Sequence, residues 1–460
     1  MVHSPRQHSQ GFCVRKIVVG VAVACSIISL AAQDQPFRTG ASYVRVDVFP
    51  TAKGAPVTDL TSADFEVLED KVPQTIASFE HVVVRGRMPD AQMQEPRTVA
   101  ESRDAVANGR GRVFVVFLDS FHVEATDSTR IRRPLTSMLD RALGPDDLIG
   151  LYRPGFTPAD LTFTPKHATV EGAVASMWGQ RDTLVTDDPS EDAYRQCYPA
   201  APSHCAYSDC RENGLGIADD MIQRRRESRT LASLRDLVAY LGGTREERKA
   251  VLVVTDGWRL LTPNPDLERP IPGVSPSGTR PTGNGPQPGA RGGLFSTPTT
   301  NPSTAQCERD RYKFAEIDDA REAVKLQEDA NRANVSFYPI DPRGLAAYDE
   351  SPVANAKINM LTGKYADPEP AVSPRGDLDK LTARVQSLRA LAESTDGVAV
   401  VETNNLGAAM QKVADDLSSY YLIGYNSSGK MDGKFHAITV RVKRPGVDIR
   451  ARRGFRAYSR

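Results

Sequence analysis

An excess of charge of either sign is the first thing this sequence lacks. Its 58 Lys and Arg residues are matched by 58 Asp and Glu residues over 460 positions, so there is no basic surplus of the kind that draws a domain to nucleic acid. It also lacks a second long apolar run. Ile17 to Ala31 is apolar, preceded by Arg6, Arg15 and Lys16 and closed by the small pair Ala31-Ala32, which predicts a cleavable export signal over residues 1–32. That run falls short of the roughly 20 residues a membrane helix needs, and nothing after it is as apolar. Ala22 stands where a lipoprotein leader carries a leucine-type residue, three positions before Cys25. The expectation is an exported chain, periplasmic, surface-located or extracellular, with no transmembrane segment once mature. Removal of Arg6, Arg15 and Lys16 leaves that mature chain mildly acidic. Export is a second reason to expect no nucleic-acid partner.

The common catalytic signatures are missing too. No Gly-x-Ser-x-Gly and no His-Glu-x-x-His occurs, which removes the nucleophile elbow and the zinc-peptidase helix. The stretch Asp119 to Asp127 holds no glycine, so a dinucleotide-type phosphate turn cannot form there. A phosphatase of the haloacid dehalogenase type would place a second aspartate where Phe121 stands. His122 beside Asp119 has no visible nucleophile to serve as a base for. The chain is not expected to be an enzyme.

Cysteine is scarce, and Cys13 and Cys25 lie in the leader, so Cys197, Cys205, Cys210 and Cys307 remain. In an oxidising compartment four cysteines allow two disulfides in three pairings. All four fall in or beside insertions, and loop staples are expected. A zinc site with His204 would need spacings that these cysteines do not have.

What the chain does contain is a pair of matching strands. Val113-Phe-Val-Val-Phe-Leu118 is an unbroken apolar run ending on Asp119, and Val251-Leu-Val-Val254 leads to Thr255-Asp256-Gly257. Such runs read as strands buried on both faces, and a charge just after one lands at the carboxyl edge of a sheet, where open α/β folds bind ligands. Between them Thr230 is expected to open a helix pointing at the same edge. Asp119, Ser120, Thr230 and Asp256 are therefore the candidate ligands of a divalent cation, Mg²⁺ or Mn²⁺. The competing structural reading is that these aspartates cap the next helix or salt-bridge across a loop, and that Thr230 is only an N-terminal helix residue.

Around this pair the pattern predicts a doubly wound, mostly parallel α/β sheet of six strands. Pro134 is expected in a first helical turn, with Leu135, Met138, Leu139 and Leu143 on one face. Leu148 to Tyr152 is the next strand, and Leu161 to Phe163 follows too closely for a crossover, so that pair should be antiparallel. A long polar helix is expected from about Tyr312 to Arg332, a strand from Val335 to Ile340, a helix through Leu381, Val385, Leu388 and Leu391, and a last strand from Val398 to Val401. A final helix places Leu406, Met410, Val413 and Leu417 inward.

Two insertions interrupt this core. Residues 179–227 show charges without periodicity, and 262–304 are dense in Pro, Gly, Ser and Thr, a composition that favours disorder. At the ends the period changes to two, with Val44, Val46 and Val48 alternating with Arg45 and Asp47. The organisation expected is a β module at 41–82, a linker at 83–111, the α/β domain at 112–418 and terminal strands at 419–460. Isolated hairpins are marginal in water, so the two ends should pair into one accessory β-sandwich. The arginines of the tail, Arg450, Arg452, Arg453, Arg456 and Arg460, read as a solvated strand face rather than as a polymer-binding run.

Strand-Asp, then Thr, then strand-Thr-Asp-Gly is the order of the metal-site motifs in von Willebrand factor A-type (VWA) domains, and the chain resembles the secreted VWA-related proteins of Acidobacteria. The resemblance extends to Asp64-Phe65-Glu66-Val67-Leu68-Glu69-Asp70, to Tyr420-Tyr421-Leu422-Ile423-Gly424-Tyr425 and to the basic ending Arg450-Ala451-Arg452-Arg453-Gly454-Phe455. It departs from the family at the first strand, where VWA sites carry Asp-x-Ser-x-Ser. Here Phe121 and Val123 occupy the serine positions, with Ser120 and His122 between them. The resemblance implies an exported protein that mediates protein–protein interaction or adhesion, with an unidentified protein or envelope component as partner, through a degenerate cation site. A metal-independent structural component of the envelope is the alternative, and a hydrolase with an unrecognised site the third reading.

Overall fold

A computed structural model describes residues 43–84, 90, 93–109, 111–181, 188–198, 216–245, 247–269, 304–349, 374–429 and 432–456. The leader, Cys205, Cys210, His204 and most of the second insertion lie outside them.

The central sheet follows from runs of apolar residues that are buried along their whole length. Strands β6 (Val113–Leu118), β9 (Lys249–Val254) and β10 (Val335–Ile340) are buried at every position. With β7 (Leu148–Tyr152) and β8 (Phe163–Thr164) they form one five-stranded sheet in the order β10-β9-β6-β7-β8. The first four strands are parallel, and β8 pairs antiparallel with β7, as the short connection requires. Alternate side chains point to opposite faces of a strand. Phe114, Val116 and Leu118 accordingly meet helices α2 (Ala125–Ala142), α3 (His167–Ser176) and α9 (Leu406–Ser418) on one side. Val113, Val115 and Phe117 meet α1 (Val99–Asn108), α5 (Ile217–Gly242), α7 (Asp319–Ala333) and α8 (Pro374–Ser394) on the other. Among the described residues no helix is long and apolar enough to cross a membrane.

Five strands stand where six were expected. Val398 to Val401 contributes a single parallel bridge, Val400 to Ile340. The N–H of Val400 donates to the Pro339 carbonyl and its own carbonyl accepts from Asp341, both at 2.8 Å. Pro339 has no N–H with which to continue that ladder. Left-handed turns at Asp396 (φ 58°) and Glu402 (φ 52°) close the segment on both sides.

Several helices depart from the expected boundaries. Helix α2 begins at Ala125, so Pro134 lies inside it; Asp127, Ser128 and Ile131 are buried along its first half and hold that turn against the core. Residues 99–108, within the stretch expected to be a linker, form α1. Its start is capped by the Thr98 hydroxyl, and its Ser102 hydroxyl accepts from the Phe163 backbone N–H beside the edge strand β8. The long polar helix is two, α6 (Thr304–Ala315) and α7, because Asp318 caps a new start at the Arg321 N–H.

The first insertion is also ordered where it is described. Helix α4 (Pro189–Cys197), the first turns of α5 and helix α6 enclose an apolar cluster of Tyr194, Tyr198, Met221, Leu267 and Phe314. Cys197 is bonded to Cys307 across 110 residues, joining α4 to α6. Thr230 therefore does not open a helix. Residues 217–229 already form α5 ahead of it, stabilised by burial of Ile217, Met221 and Ile222 and by a bidentate Arg226–Glu191 pair at 2.7 and 2.8 Å.

The chain ends build a sandwich. One sheet has the order β13-β1-β11-β5, with β2 on the edge of β1, and the other β14-β12-β3-β4. Strand β1 (Tyr43–Ala52) runs antiparallel to β11 (Ser419–Asn426), Val48 opposite Tyr421, and β3 (Phe65–Glu69) pairs with β12 (Phe435–Val442). Strands β2 (Ala55–Pro56), β4 (Val72–Gln74), β5 (Ile76–Val83), β13 (Asp448–Ala451) and β14 (Gly454–Arg456) complete them. Val44, Val46 and Val48, with Tyr421 and Ile423 of the same sheet, face Phe65, Val67 and Ile438 of the other in the core between the sheets. Each fully buried side chain of this size contributes about 1.5–3 kcal/mol relative to exposure.

Candidate functional site

Parallel strands β6 and β9 end side by side, and the loops that follow them carry Asp119 and Asp256. Both residues are fully buried, as is Thr230, and Ser120 and His122 are nearly so. The Asp119 N–H donates to the Val254 carbonyl, which fixes the carboxylate at the sheet edge. Its Oδ1 accepts from Thr230 Oγ1 at 3.0 Å. Its Oδ2 accepts from His122 Nδ1 at 2.7 Å, Trp258 Nε1 at 2.9 Å and Thr255 Oγ1 at 3.0 Å. Burial opposes the charge on Asp119, but the imidazole of His122 and the donors from His122, Trp258 and Thr255 outweigh it and hold the group below its ordinary value. Thr230 reaches this carboxylate from the middle of α5, not from its start.

Trp258 arrives through a local turn. Gly257 has φ 89°, and a Cβ there would lie 2.4 Å from the Arg384 carbonyl oxygen. Only glycine tolerates both conditions. The turn folds the chain back so that the indole, 1% exposed, puts its N–H on Asp119.

Asp256 has different neighbours. Arg181 Nη1 donates to its Oδ2 at 2.6 Å, and Arg343 Nη2 donates to its backbone carbonyl at 2.9 Å with Nε 3.8 Å from Oδ1. The same guanidiniums continue outward. Arg181 Nη2 donates to the Asp349 carbonyl at 2.7 Å, and Arg343 forks onto Asp341 at 3.0 and 2.8 Å. Arg384 lies 2.8 Å from Asp349 Oδ1 and donates to the Gly257 carbonyl at 2.6 Å. The guanidiniums of Arg181, Arg343 and Arg384 thus face three buried aspartates, Asp256, Asp341 and Asp349. Burial pushes Asp256 up to about 6, against the pull of Arg343 and Arg181 and with a further push from Asp341. Asp349 is also buried, but Arg384, Arg181 and Arg343 together hold it well below the carboxylate range.

Arg181 comes from the start of the first insertion, and its approach is specified by the backbone. The N–H groups of Gln180 and Arg181 donate to the carbonyls of Ser120 and Val123, so this segment lies along the loop after β6. Its side chain closes over the sheet edge and reaches the loop carrying Asp349. The Ser120 hydroxyl is buried and has no hydrogen-bond partner among the described residues.

The four residues expected to bind a metal are thus gathered at one edge, yet their surroundings do not fit Mg²⁺ or Mn²⁺. Such ions take hard oxygen ligands and keep open positions for water. Asp119 is occupied by four donors, and an indole N–H has no lone pair to offer. Asp256 is neutralised by guanidiniums that would repel a second cation. Among the described residues no group of three or more His, Cys, Asp and Glu side chains is arranged to hold a metal. Arg181, Trp258, Arg343, Asp349 and Arg384 were not anticipated. A tryptophan directly after Asp-Gly, in a chain with two, was the one local signal available.

No family model and no curated protein matches the chain. Among solved structures it is similar to an aerotolerance-related membrane protein from Bacteroides fragilis, with 11% identity and a TM-score of 0.31, covering 67% of this chain and 98% of that one. It is likewise similar to the conserved hypothetical protein BatB from Bacteroides thetaiotaomicron, with 9% identity, a TM-score of 0.29 and coverage of 67% and 97%. Likenesses at this level carry nothing about activity.

Proposed function

We propose that this chain is an exported interaction module, built on a VWA-type α/β core of the kind found in the secreted proteins of Acidobacteria, that recognises a protein or envelope component without a divalent cation. The observation that carries the proposal is the engagement of Asp256 by Arg181 and Arg343. In a cation-dependent domain this carboxylate would help to hold the ion that receives the partner's carboxylate. Here guanidinium groups of the same chain hold the position, and a buried, hydrogen-bonded ion pair loses several kcal/mol if one partner is stripped away. Recognition then depends on the shape and charge of the surface, and the role is structural rather than catalytic.

The proposal is tested by measuring association of the mature protein with isolated cell envelopes, with and without EDTA. Binding of equal affinity in both conditions is expected. Release by the chelator and restoration by Mg²⁺ or Mn²⁺ would revive cation-dependent adhesion in its place.

A further inference from the structure

The outward face of β1 carries Arg45, Asp47 and Phe49, and that of β11 carries Tyr420 and Leu422. These residues face the amino ends of β6 and β9, at the opposite edge of the parallel sheet from Asp119 and Asp256. Between them lies a cleft of about 310 Å³, at the lower end of the range of small-molecule sites.

Its walls combine an apolar platform with more guanidiniums than carboxylates. Phe49 stacks on Tyr420 with ring centres 5.5 Å apart, and the Arg248 guanidinium sits 4.1 Å from the Phe49 centroid. Four arginines line the cleft, Arg45, Arg112, Arg245 and Arg248, against two carboxylates, Asp47 and Glu247. Arg112 is matched by Asp147 at 3.2 Å and Arg45 by Glu247 at 3.1 Å. Arg245 and Arg248 are held by neutral acceptors instead. Arg245 donates to the Gly109 carbonyl at 2.9 Å, and Arg248 to the Tyr338 hydroxyl at 3.0 Å and the Asp396 carbonyl at 2.9 Å. Among the described residues neither has an ion-pair partner, and the Nε of each is buried without an acceptor. A buried donor on a charged group is costly to leave unmade. Burial draws the Arg245 guanidinium below its ordinary value, with carboxylates only at longer range to offset it.

We infer that this cleft binds a small amphipathic anion, with its acidic head between Arg245 and Arg248 and its apolar body against Tyr420, which Phe49 backs from the buried side, and Leu422. Charge complementarity selects the head, since two fixed guanidiniums already ordered by backbone carbonyls lose little freedom when an anion arrives. The aromatic platform selects a flat or branched body.

The test is a fluorescence titration of anilinonaphthalene sulfonate, an aromatic sulfonate, into the folded mature protein, with 2-naphthoate as competitor. Saturable binding at one site, displaced by naphthoate, is expected. Arg245→Gln should weaken it about tenfold, the loss of one charge-assisted hydrogen bond. Leu422→Trp, which fills the cleft and leaves every charge in place, should abolish it with the circular dichroism spectrum unchanged. Absence of saturable binding to the wild type overturns the inference. So does binding that survives Leu422→Trp, because the dye would then occupy another surface. If Arg245→Gln fails to fold, the wild-type and Leu422→Trp titrations decide alone.

Discussion

Asp119 and Asp256 end adjacent parallel strands, and neither is left to solvent or to an ion. Asp119 is satisfied by neutral donors and one imidazole, whereas Asp256 takes the Arg181 guanidinium on Oδ2 and faces Arg343 with its Oδ1, which is buried without a hydrogen bond. Removing Arg181 therefore leaves a buried carboxylate with Arg343 as its remaining cation. Arg181→Ala should lower the unfolding free energy by about 3 kcal/mol in urea titration, and adding Asp256→Asn should recover part of the loss. A second residue gives a pH signature. Asp319 is buried with neither carboxylate oxygen hydrogen-bonded, and burial together with Glu227 raises it to about 8. The native state then keeps a proton that the unfolded chain releases, so this contribution is greatest at low pH and is lost as pH rises toward about 8. Between about pH 5 and pH 8 the wild type should lose on the order of 2–4 kcal/mol more than Asp319→Asn, measured by denaturant unfolding at both ends. Asp256 and Asp396, both raised to about 6, tilt the variant in the same direction by less. Below the ordinary carboxylate range Asp349 acts oppositely, since its lowered value makes the fold lose stability as it takes up a proton. At this scale the sequence disclosed Asp119 and Asp256, because a charge after an all-apolar strand has few places to go, while Thr230 was placed at the right edge but as a helix opener instead of a mid-helix residue. It did not disclose Arg181 or Arg343, which meet Asp256 across 75 and 87 residues from segments without periodicity, nor Arg384, which lies in the periodic helix α8 but whose carboxylate partner no apolar spacing reveals.

Elements were readable where periodicity was strong and unreadable where a single residue decided the outcome. The apolar runs of β6, β9 and β10 are buried throughout, as their composition requires. The strand at Val398–Val401 has the same composition, but Pro339 on its neighbour withholds a donor and reduces it to one bridge. Helix α5 was foreseen only from Thr230 onward, because the turns before it are rich in arginine and aspartate, and their apolar residues face a local cluster instead of the main core. That cluster depends on its cross-link. Cys197→Ser should cost about 2–4 kcal/mol, and reductant should bring the wild type to the variant's unfolding midpoint while leaving the variant unmoved. A wild type insensitive to reductant would mean that the Cys197–Cys307 bond contributes nothing to the fold.

Across the whole molecule, the two chain ends are one structure. The period-two pattern of Tyr43 to Phe49 and the apolar run at Tyr420 to Tyr425 announced strands, and β1 lies directly against β11. The arginine-rich tail was expected to face solvent. Arg453 is exposed, while donating to the Glu393 carbonyl, but Arg450 instead pairs with Asp416 and donates to the Asp396 carbonyl; Arg460 lies outside the described residues. The tail is the seam between sandwich and α/β core, a role that sequence spacing could not reveal because its acceptors are mostly backbone groups of helix ends. The sandwich packs at the amino edge of the sheet, where it leaves the cleft lined by Arg245 and Arg248, and Arg181 reaches over the carboxyl edge. The central claim is that guanidinium groups hold the position a cation would take. Calorimetric titration of Mg²⁺ and Mn²⁺ into the mature wild-type protein tests it most directly. No saturable heat is expected. Saturable one-site binding that disappears in both Asp119→Ala and Asp256→Ala, with folding retained, would contradict it.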